Sequence, residues 1–321
     1  MKPVSCEFLV VIVNYGTPKD VVDCLASLKA EIATVDGAVV VVDNCSPDDS
    51  VSVIEAAIEA SEWSSWAQVV KAGKNGGFAY GNNLAVRPAM SLDKPPKYFH
   101  LLNPDTLVEP GALSALRDFL EANPRVGIAG SRQKIYEGDW NNAFRFPCFL
   151  SEVDRGLQFG PFSKVVKKHL VLRQMSLKNE VVDWVSGASM IVRREVFDDV
   201  GLMDENYFLY YEETDFCLNA SRAGWDTWHV PNSVVFHKVG ASTGVKASNP
   251  VKRIPSYVFQ SRSYYFKKNY GVLYALFVDS SFILAVCGGR LINFVFRRKR
   301  QAVPFLLRDS ICYGAFGALF K

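Results

Sequence analysis

The sequence predicts an α/β protein with a mostly parallel sheet and helices on its faces. Over the first 130 residues, apolar β-branched runs alternate with amphipathic segments, and turn or helix-capping residues mark each transition. The chain has 321 residues, of which 49% are hydrophobic and 21% charged, and this composition excludes disordered and collagen-like proteins. The length suits one large domain or two small ones.

Five apolar runs are predicted as strands: Phe8–Val13, Ala38–Val42, Ala67–Val70, Tyr98–Leu102 and Val126–Ala129. The second run is almost all valine, as expected for a strand covered on both faces. Helices are expected from Pro18 to about Ala30, after Ser46-Pro47, over Tyr80–Met90 and over Pro110–Ala122. Prolines at helix starts and the capping residues before them support these boundaries.

The periodicity is lost over residues 135–180, which are predicted as an irregular insertion. Regular structure is expected again at Val181–Trp184 and Ala188–Arg193, followed by a short helix and by a helix over Glu212–Ala223. We expect one domain over residues 1–250 and a helical, apolar, basic region over residues 251–321.

Charge divides along the chain, although the net charge is only +3. Residues 252–321 contain 12 Lys/Arg and 2 Asp/Glu, a charge of +10, and the preceding residues carry −7. No RNA-binding motif accompanies the basic tail, so no nucleic-acid partner is predicted. The seven cysteines are scattered and fit a reducing compartment. The first apolar run leads directly into Asn14 and is interpreted as a strand, not as a signal peptide.

Polar residues follow four successive strands, where open α/β sheets bind their ligands. They are Asn14, Asp43-Asn44, Lys74–Phe78 and Asn103–Thr106. Any one of them could be a turn residue, but four together favour a shared ligand pocket. No G-x-G-x-x-G motif follows the first strand and no Walker motif surrounds Lys74, which disfavours dinucleotide oxidoreductases and P-loop NTPases.

Anion and metal binding are predicted next to each other in this pocket. Glycines 76, 77 and 81 allow close backbone approach near a helix start and are expected to leave amides free for an anion. Asp105 offers the hard oxygen ligand that suits Mg²⁺ or Mn²⁺ beside a diphosphate. His237 is a candidate loop ligand, whereas His229 fits a buried core position better.

The densest acidic cluster contains Glu212, Glu213 and Asp215 at the start of a predicted helix. Helical spacing places Glu212 and Asp215 on one face and Glu213 about a quarter-turn away, so the three carboxyls should have different environments. The aromatic run 207–211 before them could desolvate one carboxyl and raise its pKa towards that of a general base. Complementing the helix dipole would explain one or two of these acids, but not the aromatic run.

The chain contains seven distinctive segments: VVIVNYG, VVDN-x-S, KNGGFAYGNN, LLNPDT, WVSGASMIVRR, FLYYEETDFCLNASRAGW and HKVGAS. Taken together, they resemble the family 2 glycosyltransferases of GT-A fold, particularly their bacterial rhamnosyltransferase-like branch. The resemblance covers about residues 6–245. It implies a Rossmann-like GT-A domain and inverting transfer of a sugar, rhamnose from dTDP-rhamnose by branch, to a hydroxyl of a glycan or lipid-linked acceptor in cell-surface polysaccharide synthesis.

The resemblance also assigns roles to residues. It places Asp43 at the nucleobase or ribose, gives donor binding to Asn14, Asn75, Gly76, Gly77, Asn82, Asn103, Gly187 and Ala188, and gives the metal to Asp105 and His237. Glu213 occupies the position of the usual catalytic base, with Glu212 and Asp215 as rivals. This chain has Asn103 where the family often has the first Asp of its D-x-D motif, and Glu213 where Asp is more common.

Other functions remain open on the sequence alone. A UDP-sugar-dependent hexosyl or galactofuranosyl transferase fits the same residues. A sugar nucleotidyltransferase would need a glycine-rich basic loop after the first strand, which Asn14–Thr17 does not supply. A non-catalytic sugar-nucleotide-binding scaffold would not need the intact acidic cluster.

The basic tail is expected to lie on an anionic membrane surface, which would place the protein in the cytoplasm as a peripheral protein of the inner membrane face. Packing against the first domain or a second copy in a homo-oligomer is the alternative. Asp279 and Arg290 interrupt the apolar residues 270–296, so a clean membrane-spanning run is not expected.

Overall fold

A computed structural model describes residues 6–135, 138–140, 142–238, 252–298 and 303–317. Its strands are β1 Phe8–Asn14, β2 Gly37–Asp43, β3 Ala67–Lys71, β4 Tyr98–Leu102, β5 Thr106–Val108, β6 Val126–Ile135, β7 Gly138–Trp140, β8 Asn142–Phe144, β9 Leu172–Gln174, β10 Glu180–Val182, β11 Ser189–Arg193 and β12 Asp226–His237. Its helices are α1 Pro18–Thr34, α2 Ser50–Ala60, α3 Gly77–Met90, α4 Ala112–Ala122, α5 Phe149–Leu157, α6 Gly160–Val165, α7 Arg194–Val200, α8 Glu212–Arg222, α9 Ser256–Tyr270, α10 Val272–Val295 and α11 Leu306–Tyr313.

The predicted mostly parallel sheet is confirmed. Its order is β10-β12-β6-β11-β4-β1-β2-β3, with β5 added on β12 and β7 on β6. β1 runs parallel to β2 and β4, β2 to β3, and β12 to β6. β11 is antiparallel to both of its neighbours, so its first residue, Ser189, pairs with Leu102 at the end of β4. The residues just before β11 therefore lie at the carboxyl edge of the parallel strands.

The core forms where the central strands are covered by helices. Valines 39–42 of β2 are essentially fully buried, which is the reason for their apolar sequence. Phe8, Val10 and Ile12 of β1 join Leu25 and Leu28 of α1 and apolar residues of α4 in one cluster. Burying these side chains supplies the main driving force for this part of the fold.

A buried polar chain crosses the sheet from β4 to β12. His100 Nε2 lies 2.9 Å from Ser189 Oγ, and Ser131 Oγ lies 2.7 Å from the hydroxyls of both Ser189 and Ser233. Burial lowers the pKa of His100 to about 3, so its ring is neutral at physiological pH. The chain ties β11 and the irregular part of β12 to the central strands, close to where both approach the polar edge.

The elements differ from prediction mainly in length. β4 has the predicted bounds, whereas α1 continues to Thr34 and β6 continues to Ile135, because β6 pairs with β7 and with the second half of β12. The segment 135–180, predicted as irregular, contains several short elements, including α5, α6 and the 3₁₀ turn Lys167–His169.

The chain divides into two compact units. The first contains residues 1–144, 174–205 and 212–246, and the second contains residues 145–173, 206–211 and 247–321. This grouping differs from the predicted linear division at residue 250, since two earlier segments join the C-terminal helices. The first unit holds the whole sheet edge described above.

The second unit is built around a buried arginine. Arg262 of α9 is 2% exposed and lies between two equally buried carboxylates, Glu152 of α5 and Asp279 of α10. Its Nε donates to Glu152 at 2.6 Å. A Cβ on Gly289 would lie 2.5 Å from the carbonyl oxygen of Leu157, so α10 packs closely on α5. Three segments distant in sequence therefore share one ionic core.

Helix α10 corrects the expectation drawn from Asp279 and Arg290. It has 24 residues and a mean hydropathy of 1.8 over its most apolar window, of which 39% is buried. By length and composition it is long and apolar enough to cross a membrane, as the core helices of soluble proteins also can be.

Candidate active site

The ends of β1 and β2 are joined by buried polar side chains. Asn14 and Asp43 pair in register, and Asn14 Nδ2 donates to Asp43 Oδ1 at 2.8 Å. Ser46 donates to the same carboxylate twice, from its hydroxyl to Oδ1 at 2.6 Å and from its backbone N–H to Oδ2 at 3.0 Å. Ser46 was predicted only as a helix-start residue, and its part in holding Asp43 was missed. A carboxylate has about four lone-pair sites, so Asp43 can accept one more hydrogen bond at Oδ2.

The glycine loop after β3 is fixed by two asparagines. Asn44 Nδ2 donates to Asn75 Oδ1 at 3.1 Å and to the Gly77 carbonyl at 3.0 Å. The N–H of Gly76 donates to Asn44 Oδ1 at 3.3 Å, and that of Gly77 donates to Asn75 Oδ1 at 3.1 Å. The expectation that these two amides are free for an anion is therefore wrong, because side chains of the loop itself occupy them.

Glycine is required at both loop positions. A Cβ on Gly76 would lie 2.3 Å from the Tyr80 ring, and Gly77 has a φ of +86°. Asn82, one turn into α3, donates to the Phe78 carbonyl at 2.9 Å. Its buried Oδ1 has no hydrogen-bond partner among the described residues. At the start of α3, the loop amides are thus hydrogen-bonded within the loop, whereas Asn82 Oδ1 can still accept a hydrogen bond.

Asp105 and His237 lie side by side at the same edge. His237 Nε2 is 3.2 Å from Asp105 Oδ1, and His237 Nδ1 is 3.1 Å from Gln133 Oε1. The antiparallel pairing of β5 with β12 creates this contact, since Thr106 is in register with His237. His237 is thus the last residue of a strand, and the prediction of a loop position was wrong. Gln133 was not predicted as a site residue.

The Asp105–His237 pair fits as part of a divalent-cation site. A neutral His237 that donates its Nδ1 hydrogen to Gln133 presents the Nε2 lone pair to a carboxylate oxygen, and a cation between them would satisfy both ligands. No cluster of three or more His, Cys, Asp and Glu residues occurs in the described parts of the chain. Two protein ligands are compatible with Mg²⁺ or Mn²⁺, because substrate and water commonly complete the coordination of these ions.

Lys238 fixes the backbone next to His237. Its Nζ donates to Asp20 Oδ1 at 2.9 Å and to Asp23 Oδ2 at 2.8 Å, both on α1. Its N–H donates to the Asp105 carbonyl at 2.9 Å. Lys238 was not among the predicted site residues. The rest of the HKVGAS segment, from Val239 onwards, lies outside the described residues.

The three acids of α8 have different environments, as their spacing predicts. Glu212 and Asp215 are 2% and 1% exposed, and Asn219 Nδ2 donates to Asp215 Oδ2 at 3.3 Å. Glu213 has a buried Oε2 with no hydrogen-bond partner among the described residues. Burial raises the pKa of Glu213, and the backbone N–H groups of Glu213 and Gly187 only partly oppose that rise. A raised pKa is the property that a general base working near neutral pH requires, so Glu213 is a candidate for that role.

Gly187 and Ala188 connect the acidic cluster with the metal-type pair. The Gly187 N–H interacts with the Glu213 carboxyl, and the Ala188 carbonyl accepts from the Asn103 N–H at 3.0 Å. A Cβ on Gly187 would lie 2.8 Å from Cζ of Phe78, so only glycine fits against this ring. Phe78 was not predicted as a site residue, although the motif that contains it was.

Two further predictions concern aromatic and histidine residues. His229 is 1% exposed and burial lowers its pKa to about 4, which confirms it as a core residue. The rings of Tyr207 and Tyr211 pack on α9, against Tyr264 at 4.9 Å and Tyr265 at 5.4 Å between centroids. That the run 207–211 desolvates a catalytic carboxyl stays a prediction.

Residues 9–201 match the family described as glycosyl transferase family 2. Over 145 residues the chain is 33% identical to an N-acetylglucosaminyl-diphospho-decaprenol L-rhamnosyltransferase of Mycobacterium tuberculosis, covering 44% of this chain and 47% of that protein. Over 170 residues it is 28% identical to the rhamnosyltransferase WbbL of Escherichia coli, covering 51% of this chain and 60% of that protein. The matches thus span about half the length of these relatives.

The fold also matches solved structures. The mannosyltransferase PcManGT from Pyrobaculum calidifontis, in complex with GDP-Man and Mn²⁺, aligns with a TM-score of 0.58 over 98% of this chain and 83% of that one. Sequence identity is 14%, so this likeness concerns the fold alone. It confirms the predicted GT-A-like architecture.

Proposed function

Since the chain belongs to glycosyl transferase family 2, we propose that it transfers a sugar from a nucleoside diphosphate sugar to a hydroxyl of a glycan or lipid-linked acceptor, with inversion at the anomeric carbon. One observation carries this proposal. A carboxyl with a raised pKa, Glu213, and a carboxylate–imidazole pair, Asp105 and His237, are linked through Gly187–Ala188 and Asn103 at one sheet edge.

The nucleoside would bind at the ends of β1 and β2. Asp43 keeps one acceptor position and would take a hydrogen bond from the nucleobase or the ribose, while Asn14 and Ser46 hold its carboxylate still. The same pocket would be shaped by the loop Asn75–Gly77 and by Asn82. The Oδ1 atom of Asn82 would accept a hydrogen bond from a hydroxyl of the bound sugar nucleotide. A pocket held rigid by such internal bonds binds at low entropic cost.

The diphosphate end would lie at Asp105. Asp105 and His237 would hold Mg²⁺ or Mn²⁺, with Asn103 alongside. When bound, such a cation neutralises charge that builds on a diphosphate leaving group. Gln133 and Lys238 would keep the two ligands oriented, because one bonds the far nitrogen of His237 and the other fixes the backbone beside it.

Glu213 would act as the general base. An acceptor hydroxyl has a pKa far above 7, so a carboxylate must take its proton as the oxygen attacks. Attack from the face opposite the leaving group forms one bond while the other breaks, which inverts the anomeric centre. Gly187 and Ala188 would line the sugar between the base and the metal side. Glu212 and Asp215 remain rivals for the base and are separated from Glu213 by mutation below.

The donor is proposed to be dTDP-rhamnose. The two relatives reported above are named as rhamnosyltransferases, and one of them acts on a diphospho-decaprenol acceptor by its name. A lipid-linked acceptor of that kind would place the reaction in cell-surface polysaccharide synthesis. It would also favour a cytoplasmic protein bound peripherally to the inner membrane face through its basic C-terminal region.

A donor panel tests the proposal. Purified protein with Mn²⁺ or Mg²⁺ is mixed with dTDP-rhamnose, UDP-glucose, UDP-galactofuranose or GDP-mannose, and thermal shift and release of nucleoside diphosphate are recorded with and without lipid-linked acceptor. Stabilisation and turnover with dTDP-rhamnose support the full proposal. Turnover with a UDP-hexose keeps the transferase and corrects the sugar. Release of pyrophosphate from a nucleoside triphosphate and sugar phosphate would instead identify a nucleotidyltransferase.

A further inference from the structure

Helix α10 carries two apolar faces, of which one is buried inside the second unit and the other is largely exposed. One face, with Val278, Phe282 and Val286, is buried. The other face has large apolar side chains in solvent: Leu273, Phe277, Leu284, Leu291 and Phe294, which are 83%, 51%, 71%, 62% and 81% exposed. Their spacings of four, seven, seven and three residues keep them on one side of the helix. We call these five residues the α10 stripe.

The exposed apolar side chains are concentrated around this helix. Of the eighteen large hydrophobic residues that are exposed in the described parts of the chain, eight lie between Val272 and Phe296. Scattered exposed leucines are ordinary on a soluble protein, but a continuous stripe this long indicates an interaction surface. Phe277 also stacks on Phe149 of α5, at 4.8 Å between ring centroids, but about half of its side chain stays exposed. The stripe as a whole is therefore available as a binding surface.

The C-terminal region that carries the stripe is strongly basic. Residues 252–321 contain only two carboxylates, Asp279 and Asp309, and both are buried and bonded to arginines, Arg262 and Arg253. Arg290 and Arg297, near the C-terminal end of the stripe, are exposed. Basic residues beside an apolar helical face fit an anionic lipid surface, where each contributes to binding. Two copies of the chain joined through this stripe would bring like charges together.

The packing of the buried face also decides how the helix would meet lipid. Asp279 on that face is held by Arg262, which also binds Glu152. A helix that crosses a bilayer would carry Asp279, together with Arg262 and Glu152 on the helices packed against it, to the depth of the lipid chains, where charged side chains are costly. A helix lying in the membrane surface needs only the stripe to be apolar.

We infer that the α10 stripe docks in the plane of an anionic bilayer, with Leu273, Phe277, Leu284, Leu291 and Phe294 inserted among the lipid chains and Arg290 and Arg297 at the headgroups. This inference goes beyond the proposed function, because it specifies the face, its orientation and the two forces that hold it. Its test requires no sugar transfer, so it can fail or hold independently of the transferase proposal.

The experiment measures binding of the purified chain to vesicles of phosphatidylcholine with or without phosphatidylglycerol. Leu284→Ser/Leu291→Ser should lose at least about a hundredfold in partitioning, because each leucine contributes about tenfold or more. Leu177→Ser/Val181→Ser removes two exposed apolar side chains from the first unit and should bind like wild type. Equal binding by the stripe variant and wild type would overturn the inference.

The electrostatic contribution to vesicle binding is tested with a second pair of variants, one near the stripe and one control. Arg290→Gln/Arg297→Gln should lose about 25-fold on vesicles with phosphatidylglycerol, at about fivefold for each arginine, and the loss should vanish in high salt. Lys29→Gln/Lys94→Gln changes the net charge equally on exposed residues of the first unit and should have no such effect. A uniform loss for both variants would contradict the placement at Arg290 and Arg297.

Depth is read from a native cysteine. Cys287 is exposed on α10 close to the stripe, whereas Cys45 is exposed in the first unit. A fluorophore on Cys287 in Cys45→Ser/Cys312→Ser should shift to the blue on vesicles and be quenched by lipids brominated at shallow positions, and one on Cys45 in Cys287→Ser/Cys312→Ser should not. Quenching at the bilayer centre would indicate a span. If the wild-type chain did not bind vesicles but formed a dimer without lipid, and Leu284→Ser/Leu291→Ser were monomeric, the stripe would be the contact with a second copy of the chain.

Discussion

Replacing Glu213 by glutamine gives the sharpest test of the proposed chemistry. The change keeps the shape of the side chain and an oxygen that can accept from the Gly187 N–H, but it removes the group that takes a proton. A general base contributes about 10²–10⁴-fold to the rate, so we expect kcat to fall by about that factor. The KM for the donor should stay near its wild-type value, since Glu213 is placed on the acceptor side.

The pH dependence follows from the burial of this carboxyl. The pKa of Glu213 is raised above its ordinary value of 4.5, mainly by desolvation. The wild-type kcat should therefore fall as the pH is lowered through a value above 4.5, and the residual rate of Glu213→Gln should lack this limb. The native state holds the Glu213 proton more tightly than the unfolded chain does, so ionisation costs stability as pH rises above the unfolded pKa. Glu213→Gln should then match wild type in stability at acid pH and exceed it at neutral pH.

The assay is nucleoside diphosphate release across a pH series, with urea unfolding at two pH values. Glu212→Gln and Asp215→Asn are the matched variants, and circular dichroism checks that each is folded. A folded Glu213→Gln that keeps its rate within tenfold, while one of the other two loses a hundredfold or more, would refute the assignment of the base.

Three further predictions concern neighbouring groups. Gly187→Ala should lower the free energy of unfolding in urea by about 1–3 kcal/mol and should lower kcat, because the added methyl meets the Phe78 ring. Phe78→Leu in the same chain should restore part of the stability and part of kcat. Wild-type stability in Gly187→Ala would contradict the contact with Phe78. His237→Ala should weaken Mn²⁺ activation at least about tenfold, and unchanged activation with full activity in excess chelator would remove this residue and Asp105 from the metal role. Arg262→Met should cost about 3–5 kcal/mol, because it removes the guanidinium shared by two buried carboxylates and leaves Asp279 without its positively charged partner, while Glu152 keeps Arg155. A loss under 1 kcal/mol in urea unfolding would contradict the buried ionic core.

Local sequence patterns predict where the strands and helices of this fold lie, but they predict less well which strands pair with each other. β4 has the predicted bounds and β2 extends by one residue at each end, because buried valine-rich runs flanked by turn residues have few alternatives as strands. No local sequence pattern predicts that β11 lies antiparallel between β4 and β6. Its position depends on which strands of the sheet still have an unpaired edge when β11 joins them. That position brings Gly187 beside the strand ends.

Long-range pairs mark the limit of sequence reasoning. Asp105 and His237 are separated by 132 residues, and only the resemblance to a family indicated that they act together. Gln133 lies in no motif, and Lys238 lies in the HKVGAS segment without a predicted role; their contacts become visible only through the pairing of β12 with its neighbours. The membership of residues 145–173 in the second unit was not predicted for the same reason. The ionic core of Glu152, Arg262 and Asp279 joins three helices, and in the sequence each of these charged residues looks like an ordinary surface residue.

Many polar atoms of the candidate site are paired with one another, and a few keep an unused acceptor position. Buried polar groups in folded proteins are almost always paired, so an exception points to a ligand. On the nucleoside side Asp43, Asn44 and Asn75 bond to one another or to their neighbours. Asn82 Oδ1 and Glu213 Oε2 have no partner among the described residues.

Phe78 lies between these two acceptors, since its carbonyl binds Asn82 and its ring packs on Gly187, whose N–H meets Glu213. Both are acceptors, as hydroxyl-bearing ligands require. The proposed nucleoside side would therefore be largely built in advance, with single acceptor positions left at Asp43 and Asn82, while Glu213 Oε2 would remain for the acceptor hydroxyl. This is the order expected if binding energy from the nucleotide positions the sugar for the reaction at Glu213.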